Sequence, residues 1–424
     1  MSHGQPEALV FNNPAYVRLI DLPKRKESAI FRVENVFPRF FLLGLPAKGP
    51  GPSGPSQGAE IDLGPDGIAI LGGGIAGLAM LAGLHRIGVR AQAFERAAAR
   101  DLIGMGFILM PNGRAAVQAL FPHLDLACCS TRIDRAELFW SDCDLISDHQ
   151  IVGMQSVLRS GLIAQMEGSV PPDSIRYNSN FEAANWQGSH LESVRLADGT
   201  TIRAGAFIGC DGVRSKARTW LHPTATLQPV RFVEVVSVIH APDLFHRLGG
   251  RFLKFYERGG NLAIGIVPAA DRVIWFLQLG LSLADIRGFS SRAMESKLRG
   301  LLVGWPSVIG ELLERTNFAE SHLWKVADLD PLPNFHCGNL VLIGDAAHPV
   351  LSFTSQGASS ALEDAALLAD LLRSGTTKLS REAAFAQFDA TRRPHARRWV
   401  AAGRELFNQF CRPPSTGLHL PLAE

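Results

Sequence analysis

The chain has 424 residues, enough for two or three domains or for one large composite fold. With 46% hydrophobic residues, 19% charged residues and a formal net charge of +2, its composition is globular and gives no indication of nucleic-acid binding. The six cysteines are scattered without a C-x-x-C pair, and the first residues lack a signal-peptide pattern. These features argue against a disulfide framework or a zinc site and predict a cytoplasmic protein without a metal ion.

Residues 1–65 are predicted to be an N-terminal extension. Within it, residues 46–58 are rich in proline, glycine and serine, which is typical of a flexible linker. Residues 36–43, with the sequence VFPRFFLL, are apolar. Burying such a side chain stabilises a protein by roughly 1.5–3 kcal/mol. We therefore expect this segment to dock on the folded body or on a second subunit, and a homodimer is one form that such docking can take.

From Gly67 the pattern predicts a strand, a glycine turn, a helix over about Ile75–Ile87 and a second strand in RAQAFER. The run from Gly67 to Leu84 carries no charge and imitates a membrane span. The glycines at its centre would interrupt a membrane helix, so we expect no transmembrane segment.

The glycine turn carries Gly72, Gly74 and Gly77 in the G-x-G-x-x-G spacing of dinucleotide-binding proteins. In that motif the first glycine permits a tight turn, the second lets the backbone approach a diphosphate, and the third lets helix and strand pack closely. The diphosphate lies at the N-terminus of the helix. Glu95, at the end of the second strand, would accept hydrogen bonds from ribose hydroxyls and repel a 2′-phosphate. The site therefore favours FAD or NAD over NADP; the alternative is a glycine turn that serves packing alone.

Two further apolar strands are predicted to end in an aspartate: Asp211 follows a strand near Cys210, and Asp345 follows NLVLI. Ligands of open α/β sheets bind at the carboxyl ends of the strands, so these aspartates and the glycine turn are predicted to meet one long ligand. Residues 231–279 contain short alternating runs typical of a mostly antiparallel sheet. Helices are predicted within residues 291–315 and 362–410.

These elements predict an α/β fold with a Rossmann-like FAD-binding domain, an inserted and mostly antiparallel substrate-domain sheet, and C-terminal helices. Residues 66–150 and 151–225 are predicted to form the two parts of the FAD-binding domain. Residues 226–330 are assigned to the substrate domain, and residues 331–424 to the second aspartate motif and the C-terminal helices.

Several segments together resemble the FAD-dependent aromatic hydroxylases, the class A flavoprotein monooxygenases typified by para-hydroxybenzoate hydroxylase. The resemblance covers about residues 66–400, and its motifs stand in the family's order and spacing. The segments that carry it are the glycine turn with Glu95, GMGFILMPN (residues 104–112), LRSGLIAQM with Arg159, CDGVRS, GDAAHP and QGASSALEDA.

The resemblance implies roles for several residues around FAD. Asp345 would hydrogen-bond the ribityl hydroxyls, Pro349 would border the isoalloxazine, and Arg159 would contact the ribityl or phosphate region. Asp211 lies in a motif that the family uses for FAD and for the transient nicotinamide cofactor. A helix starting near Gln356 would direct its N–H groups at the N1–C2 carbonyl edge of the flavin, where they stabilise negative charge. The full predicted cofactor set is Gly72, Gly74, Ile75, Ala76, Gly77, Glu95, Arg96, Met105, Arg159, Asp211, Asp345, Gln356, Gly357 and Ala358.

Two other polar residues leave alternatives open. Arg218 matches an arginine that some relatives use near the substrate, but it also fits an ion pair at a helix end. His348 has no partner His or Cys at ligand spacing, and positioning of the backbone is favoured over a role as general base. The chain also departs from the usual family residues at several positions, which are Cys210, Ser352, Ser355, Ser359 and Ser360.

The resemblance implies a monooxygenase in which NADH or NADPH reduces FAD and the reduced flavin forms a C4a-hydroperoxide with O2. One oxygen atom would then pass to an apolar or aromatic small molecule, by hydroxylation or epoxidation. Because the cofactor supplies the oxidant, no protein nucleophile is needed. The alternatives are a flavin-dependent reductase or desaturase, and a cyclase or binding protein with structural FAD. Candidate residues lining the substrate site are Phe252, Phe255, Ile264, Ile266, Trp275 and Phe276.

Overall fold

The computed structural model describes residues 58–99, 105–280, 291–373 and 378–414. The described residues from Ala59 onward belong to one compact unit. The predicted docking of residues 36–43, the predicted linker up to Gln57, and Gly104 of the GMGFILMPN segment lie outside the described residues. Among the described helices, none is both long and apolar enough to cross a membrane.

The described residues form eighteen strands and nine helices. The strands are β1 (Glu60–Asp62), β2 (Ile68–Leu71), β3 (Ala91–Phe94), β4 (Gly106–Leu109), β5 (Ser130–Trp140), β6 (Leu145–Leu158), β7 (Ile175–Arg176), β8 (Phe181–Gln187), β9 (His190–Leu196), β10 (Thr201–Arg203), β11 (Ala206–Gly209), β12 (Phe232–Ile239), β13 (Arg251–Tyr256), β14 (Leu262–Ala269), β15 (Arg272–Gly280), β16 (His322–Val326), β17 (His336–Cys337) and β18 (Leu340–Leu342). The helices are α1 (Ile75–Arg86), α2 (Pro111–Leu120), α3 (Arg159–Gly168), α4 (Lys216–Leu221), α5 (Pro242–Leu248), α6 (Ser291–Leu301), α7 (Ser307–Arg315), α8 (Gly357–Arg373) and α9 (Lys378–Cys411). Short 3-10 turns are formed by Leu126–Cys128, Gly344–Ala346 and Ser352–Thr354.

A parallel sheet carries the strand ends that the sequence singles out. Its strand order is β17-β18-β11-β2-β3-β7, and neighbours run parallel except for β17 and β18. Every residue of β2, β11 and β18 is buried, as expected for strands covered on both faces. The register places Leu71 beside Phe94 and Gly209, and Gly209 beside Leu342. The segments that follow these four strands therefore leave the sheet side by side at one edge.

Two further sheets complete the fold. A four-stranded sheet has the order β1-β10-β9-β8, and an eight-stranded sheet has the order β16-β12-β15-β14-β13-β5-β6-β4. The eight-stranded sheet is antiparallel except for the pair β13 and β5. A parallel sheet joined to a large, mostly antiparallel one confirms the predicted fold class.

Strand β6 runs through residue 150, the boundary predicted between the two parts of the FAD-binding domain. Strands β4, β5 and β6 cover residues from Gly106 to Leu158, and they pair with one another and with β13 in the eight-stranded sheet. The chain thus enters the large sheet before it completes the parallel one. Pairing between β5 and β13 joins segments far apart in sequence, and no local pattern reveals such a pairing.

The register of the eight-stranded sheet separates two faces. Glu234 on β12 lies opposite Gln278 on β15, and along the same row Ala263 on β14 lies opposite Tyr256 on β13. The next row on the same face contains Lys254, whose partner on β14 is Gly265. We call this face the polar face, defined by Glu234, Gln278, Tyr256, Lys254, Phe252 and Phe276. We call the opposite face the Trp275 face.

The sequence assigned six residues to one substrate-lining surface, and the structure divides them. Phe252 and Phe276 lie on the polar face. Because side chains alternate along a strand, the other four belong to the Trp275 face, so the six residues cannot all line one surface, and the lining role of each stays a prediction. Trp275 donates its indole N–H to the Thr316 hydroxyl at 2.9 Å and packs against Phe318, with ring centroids 6.3 Å apart. The four residues are Phe255, Ile264, Ile266 and Trp275, all buried. Since both faces are buried, period-two patterning does not distinguish them.

Candidate functional site

The glycine turn after β2 has no room for side chains at two of its glycines. Gly72 has a φ of +118°, and a Cβ added there would lie 2.4 Å from the Cys210 carbonyl oxygen. A Cβ added at Gly77 would lie 1.9 Å from the Gly72 carbonyl oxygen. At Gly74, by contrast, an added Cβ would have no atom within 4 Å. The turn is therefore packed tightly against its neighbours but open in front of α1.

The N-terminus of α1 borders this open space. Gly74 is the N-cap residue, no side chain caps the helix, and its first turn contains no acidic residue. Its first N–H groups are therefore available to an anion, which the helix dipole also favours. Glu95 lies beside the turn, where its carboxylate accepts hydrogen bonds from the Gly73 N–H at 2.8 Å and the Ala97 N–H at 2.9 Å. Arg96, next in the chain, is exposed.

Asp211 follows β11 at the same edge. Its carboxylate accepts hydrogen bonds from the backbone N–H groups of Lys216 at 2.6 Å and Ala217 at 3.2 Å, at the start of α4. Burial raises the pKa of Asp211, although these hydrogen bonds act in the opposite direction. Nearby in sequence to β4, the Met105 carbonyl accepts a hydrogen bond from the Arg159 N–H at 2.8 Å, which joins two further predicted residues.

The turn after β18 carries Asp345, and its backbone is fixed by Arg218. Burial raises the pKa of the Asp345 carboxyl group, while the charges of His348 and Arg218 lower it. Arg218 itself is 3% exposed. Its guanidinium donates to the carbonyls of Asp345 at 3.1 Å, Ala346 at 3.0 Å and Val213 at 2.5 Å. Arg218 therefore connects α4 to the Asp345 turn through backbone oxygens, and its place near the substrate stays a prediction.

A buried carboxylate that the sequence analysis did not select supports the same turn from behind. Asp364 of α8 is fully buried and accepts hydrogen bonds from the Gly344 N–H at 2.8 Å and from His348 Nε2 at 2.6 Å. Its other oxygen accepts one from Arg392 Nε at 2.6 Å, and Arg392 also donates to the Ser360 hydroxyl at 2.9 Å. This Asp364 cluster links α8, α9 and the turn after β18.

The charges of the Asp364 cluster stabilise one another. Burial acts to raise the pKa of Asp364, but His348 and Arg392 outweigh it and hold that pKa below its usual value. Burial acts to lower the pKa of His348, but the charge and hydrogen bond of Asp364 raise it. His348 and the Gly344 N–H thus share one oxygen of Asp364. Across the described residues, no cluster of His, Cys, Asp and Glu is arranged to hold a metal ion.

The N-terminus of α8 meets the segment that leads into α2. Gln356 is buried, and its amide oxygen accepts a hydrogen bond from Asn112 Nδ2 at 3.0 Å. The Ser359 hydroxyl accepts one from the Met110 N–H at 3.0 Å. An added Cβ at Gly357 would have no atom within 4 Å, and the first turn of α8 lacks an acidic residue. Like α1, α8 therefore begins with open space in front of it.

Between Pro349 and α8 the chain touches the polar face. Pro349 is buried, and the hydroxyl of Ser352 hydrogen-bonds the carboxylate of Glu234 on β12. Burial raises the pKa of Glu234. Phe353 packs on Phe232 of the same strand, with ring centroids 4.7 Å apart. The polar face thus adjoins the loop that precedes α8, whereas the Trp275 face does not take part.

The sequence pattern around Asp364 indicates that this residue is buried. Asp364 stands four residues after Ser360 and four before Leu368, so it falls on a helix face that is otherwise small and apolar. An acidic residue on such a face indicates a buried partner. Ser352 and Glu234 carried no comparable signal, because their contact joins distant segments.

Comparisons with known proteins agree with this geometry. A family model described as FAD binding domain matches residues 167–402, more than half of the chain. The chain is 28% identical to a 3-amino-4-hydroxybenzoate 2-monooxygenase of Streptomyces platensis, over 82% of this chain and 89% of the relative. It is also 28% identical to a salicylate hydroxylase of Pseudomonas putida, over 78% of this chain and 82% of the relative.

Solved structures show the same fold. HpxO of Klebsiella pneumoniae, complexed with FAD and uric acid, is similar with a TM-score of 0.75 and 18% identity, over 82% of this chain and 89% of HpxO. The 2,6-dihydroxypyridine-3-hydroxylase of Arthrobacter nicotinovorans has a TM-score of 0.73 and 17% identity, over 85% of this chain and 96% of that protein.

Replacement of glycines in the turn separates folding from cofactor binding. Gly74→Ala adds a methyl group where the protein leaves open space, so the apo-protein should keep its stability within about 0.5 kcal/mol. The same methyl group would crowd a bound diphosphate. The resulting loss of about 1–3 kcal/mol in binding free energy would weaken FAD binding by roughly 5- to 150-fold. Gly77→Ala should lower both the stability of the apo-protein and its affinity for FAD, because the added Cβ would clash with the Gly72 carbonyl oxygen. Urea unfolding and fluorescence titration with FAD measure the two effects.

The matched control is Gly310→Ala on α7, where an added Cβ also has no atom within 4 Å. It should leave FAD affinity unchanged. Equal FAD affinity in Gly74→Ala and wild type would show that no ligand approaches this turn.

Removal of the carboxylate at the centre of the Asp364 cluster should strongly destabilise the protein. Asp364→Ala leaves Arg392 buried without its main partner, a change that typically lowers the free energy of unfolding by about 3–5 kcal/mol. Asp370→Ala, on the same helix with its side chain 63% exposed, should change it by less than about 1 kcal/mol. Chemical denaturation of both variants measures the difference. Equal stabilities would mean that the cluster does not hold the turn after β18.

Proposed function

Because this chain belongs to the FAD-binding family of class A flavoprotein monooxygenases, we propose that it hydroxylates an aromatic small molecule with O2 and electrons from NADH or NADPH. The monooxygenase function and the FAD cofactor follow from the family. The reductant and the type of oxygen transfer are the proposed part. The names of the two relatives, a hydroxybenzoate monooxygenase and a salicylate hydroxylase, support an aromatic substrate.

The observation that carries the proposal is the open edge of the parallel sheet. Four strands end side by side there, and two helices begin with open space in front of them. At one end of this edge, Glu95 would accept hydrogen bonds from an adenosine ribose. The N–H groups at the start of α1 would bind a diphosphate. The residues present along this edge fit FAD.

At the other end of the edge we assign the flavin half. Asp345 offers carboxylate oxygens to ribityl hydroxyls, and Arg218 and Asp364 hold its turn in place from two sides. The N-terminus of α8 would direct its N–H groups, starting at Gly357, at the pyrimidine end of the flavin and stabilise negative charge there. Asp211 and Arg159 would lie along the middle of the cofactor. Ile75, Ala76 and Gly77 would border the diphosphate at the start of α1, and Gln356 and Ala358 would border the flavin at the start of α8.

The protein itself would position the substrate and exclude water from the site. Bound FAD supplies the redox chemistry and the activation of O2, so no protein side chain has to act as a nucleophile. The polar face would hold the substrate beside the loop at Pro349 and Ser352. The ring cluster of Phe232, Phe353 and α9 would keep water from that side.

The G-x-G-x-x-G spacing recurs at residues 49–54, but there it lies in the Pro/Gly/Ser-rich stretch and not between a strand and a helix pattern. The lack of a second glycine turn in that context supports a transient encounter with the reductant. NADH or NADPH would approach the flavin, deliver a hydride and leave. We therefore expect flavin reduction to depend on reductant concentration and to be faster when an aromatic ligand is present.

Isotopically labelled dioxygen tests the proposal. With FAD-loaded protein, a reductant and a panel of hydroxylated and carboxylated benzenes, one labelled atom should appear in a product whose mass rises by one oxygen. The other atom should appear in water. The same panel under nitrogen, with the flavin still bleached by the reductant, is the control. Product formation without oxygen, or flavin that neither NADH nor NADPH reduces with any ligand, would contradict the proposed reaction.

A further inference from the structure

The space beside Gly265, in the middle of the eight-stranded sheet, is occupied by the ring of Phe276. Gly265 of β14 lies directly opposite Phe276 of β15. A Cβ added at Gly265 would lie 2.2 Å from Cζ, 2.6 Å from Cε1 and 2.8 Å from Cε2 of that ring. The far end of the ring therefore covers the glycine and lies against β14.

Phe276 is more exposed than its neighbours on the same strand. Within residues 273–279 of β15, all of which the structure describes, Phe276 alone is not buried. Strands β12 and β14 both pair with these residues, so the exposure does not come from an edge of the sheet. Val238 of β12, on the same face of the sheet as Glu234, is likewise only half-buried. An open space therefore lies over the polar face at Phe276 and Val238.

This open space lies close to the loop that precedes α8. Lys254 Nζ lies 5.7 Å from the centroid of the Phe276 ring and 5.6 Å from that of the Phe353 ring. Phe353 belongs to the 3-10 turn Ser352–Thr354 in that loop and is itself half-buried. Phe276 thus borders the side of the polar face where the proposed flavin end of the site would hold a substrate.

A side chain at position 265 would force the Phe276 ring out of its place. The backbone of β14 has little freedom to move, because it pairs with β13 on one side and with β15 on the other. The ring can turn, by rotation about its Cα–Cβ bond. Since the sheet lies beneath the ring and Phe252 lies beside it, with ring centroids 6.0 Å apart, the ring would turn into the open space. The glycine therefore keeps that space wide.

We propose that Gly265 determines how large a substrate the site admits, because it lets the Phe276 ring lie against β14 and leaves room for an aromatic ligand wider than one ring. This inference rests on the proposed function and adds the pair of residues that sets the substrate's size. Packing alone is the other role open to this pair, since a ring placed across a strand glycine also covers the backbone. A packing role would affect ligands of every size alike, whereas a size limit affects the larger ones.

The first arm of the test compares ligands of two sizes on protein loaded with FAD. The probes are matched pairs with one ring and two: phenol with 2-naphthol, and 2-hydroxybenzoate with 3-hydroxy-2-naphthoate. Binding is followed by the change in flavin absorbance, which needs no turnover. In Gly265→Ala the two-ring probes should bind less tightly by about tenfold or more, and the one-ring probes should stay within about threefold of wild type. Gly310→Ala on α7 is the control and should bind all probes like wild type.

The second arm assigns the effect to the contact between the two residues. Phe276→Leu removes the three ring carbons that a methyl group at position 265 would meet. In the Phe276→Leu background, Gly265→Ala should therefore change the affinity for two-ring probes by no more than about threefold. Phe255→Leu, on the opposite face of the sheet, is the matched background in which Gly265→Ala should still cause the full loss.

A single variant tests the size limit without any change at the glycine. Phe276→Leu widens the open space, so the three-ring probe 9-phenanthrol should gain at least about threefold in affinity relative to 2-naphthol. This measurement decides the case in which Gly265→Ala fails to fold or loses FAD, and an unchanged ratio would contradict the proposed size limit.

The outcomes separate this inference from the function beneath it. If Gly265→Ala weakens one-ring and two-ring probes equally, or weakens neither, or keeps its effect in Phe276→Leu, the pair serves packing and the inference is wrong while the monooxygenase stands. If no probe perturbs the flavin of the wild-type protein or stimulates oxidation of the reductant, both the inference and the proposed aromatic substrate are overturned.

Discussion

The parallel register of four buried strands determines where the chemistry of this protein can occur. Because β2, β3, β11 and β18 run in the same direction with their last residues aligned, the segments that follow them leave one edge together. Apolar side chains along these strands fix that register, since a shifted strand would expose them. Polar residues that are far apart in sequence, from Glu95 to Asp345, thereby lie along one edge of the sheet.

Buried charged side chains hold the turn after β18 at this edge of the parallel sheet. Arg218 holds the turn after β18 through carbonyl oxygens, while Asp364 holds the same turn through the Gly344 N–H and through His348. A buried ionic cluster rarely stabilises a fold more than an apolar core would, but it fixes one geometry. Here that geometry decides where Asp345 and the start of α8 stand. The FAD of this monooxygenase requires that kind of precision, because its reactive ring must meet both substrate and oxygen.

The local parts of this organisation were readable in the sequence. The glycine turn, the buried strands that end in Asp211 and Asp345, and α1 follow from short patterns whose meaning is fixed by backbone sterics and burial. The resemblance to aromatic hydroxylases placed those patterns in one fold, and the family match confirms it.

The parts of the fold that depend on contacts between distant segments could not be predicted from the sequence. The joining of β5 to β13, the two faces of the eight-stranded sheet and the carbonyl contacts of Arg218 all arise between segments far apart in the chain. A strand with both faces buried gives the same hydrophobic run whichever face meets a ligand. In sequence Lys254 is one charge in an apolar strand, and only the register places it on the polar face.

The measurement that tests the account most directly is the titration of apo-protein with FAD and, separately, with FMN. Both carry the flavin and the ribityl chain, but only FAD has the ADP half that the glycine turn and Glu95 are proposed to bind. Two charge-assisted hydrogen bonds already amount to about 100-fold or more in affinity, so FAD should bind at least that much more tightly than FMN. Equal dissociation constants for FAD and FMN would contradict the proposal that one long ligand lies along the edge of the parallel sheet.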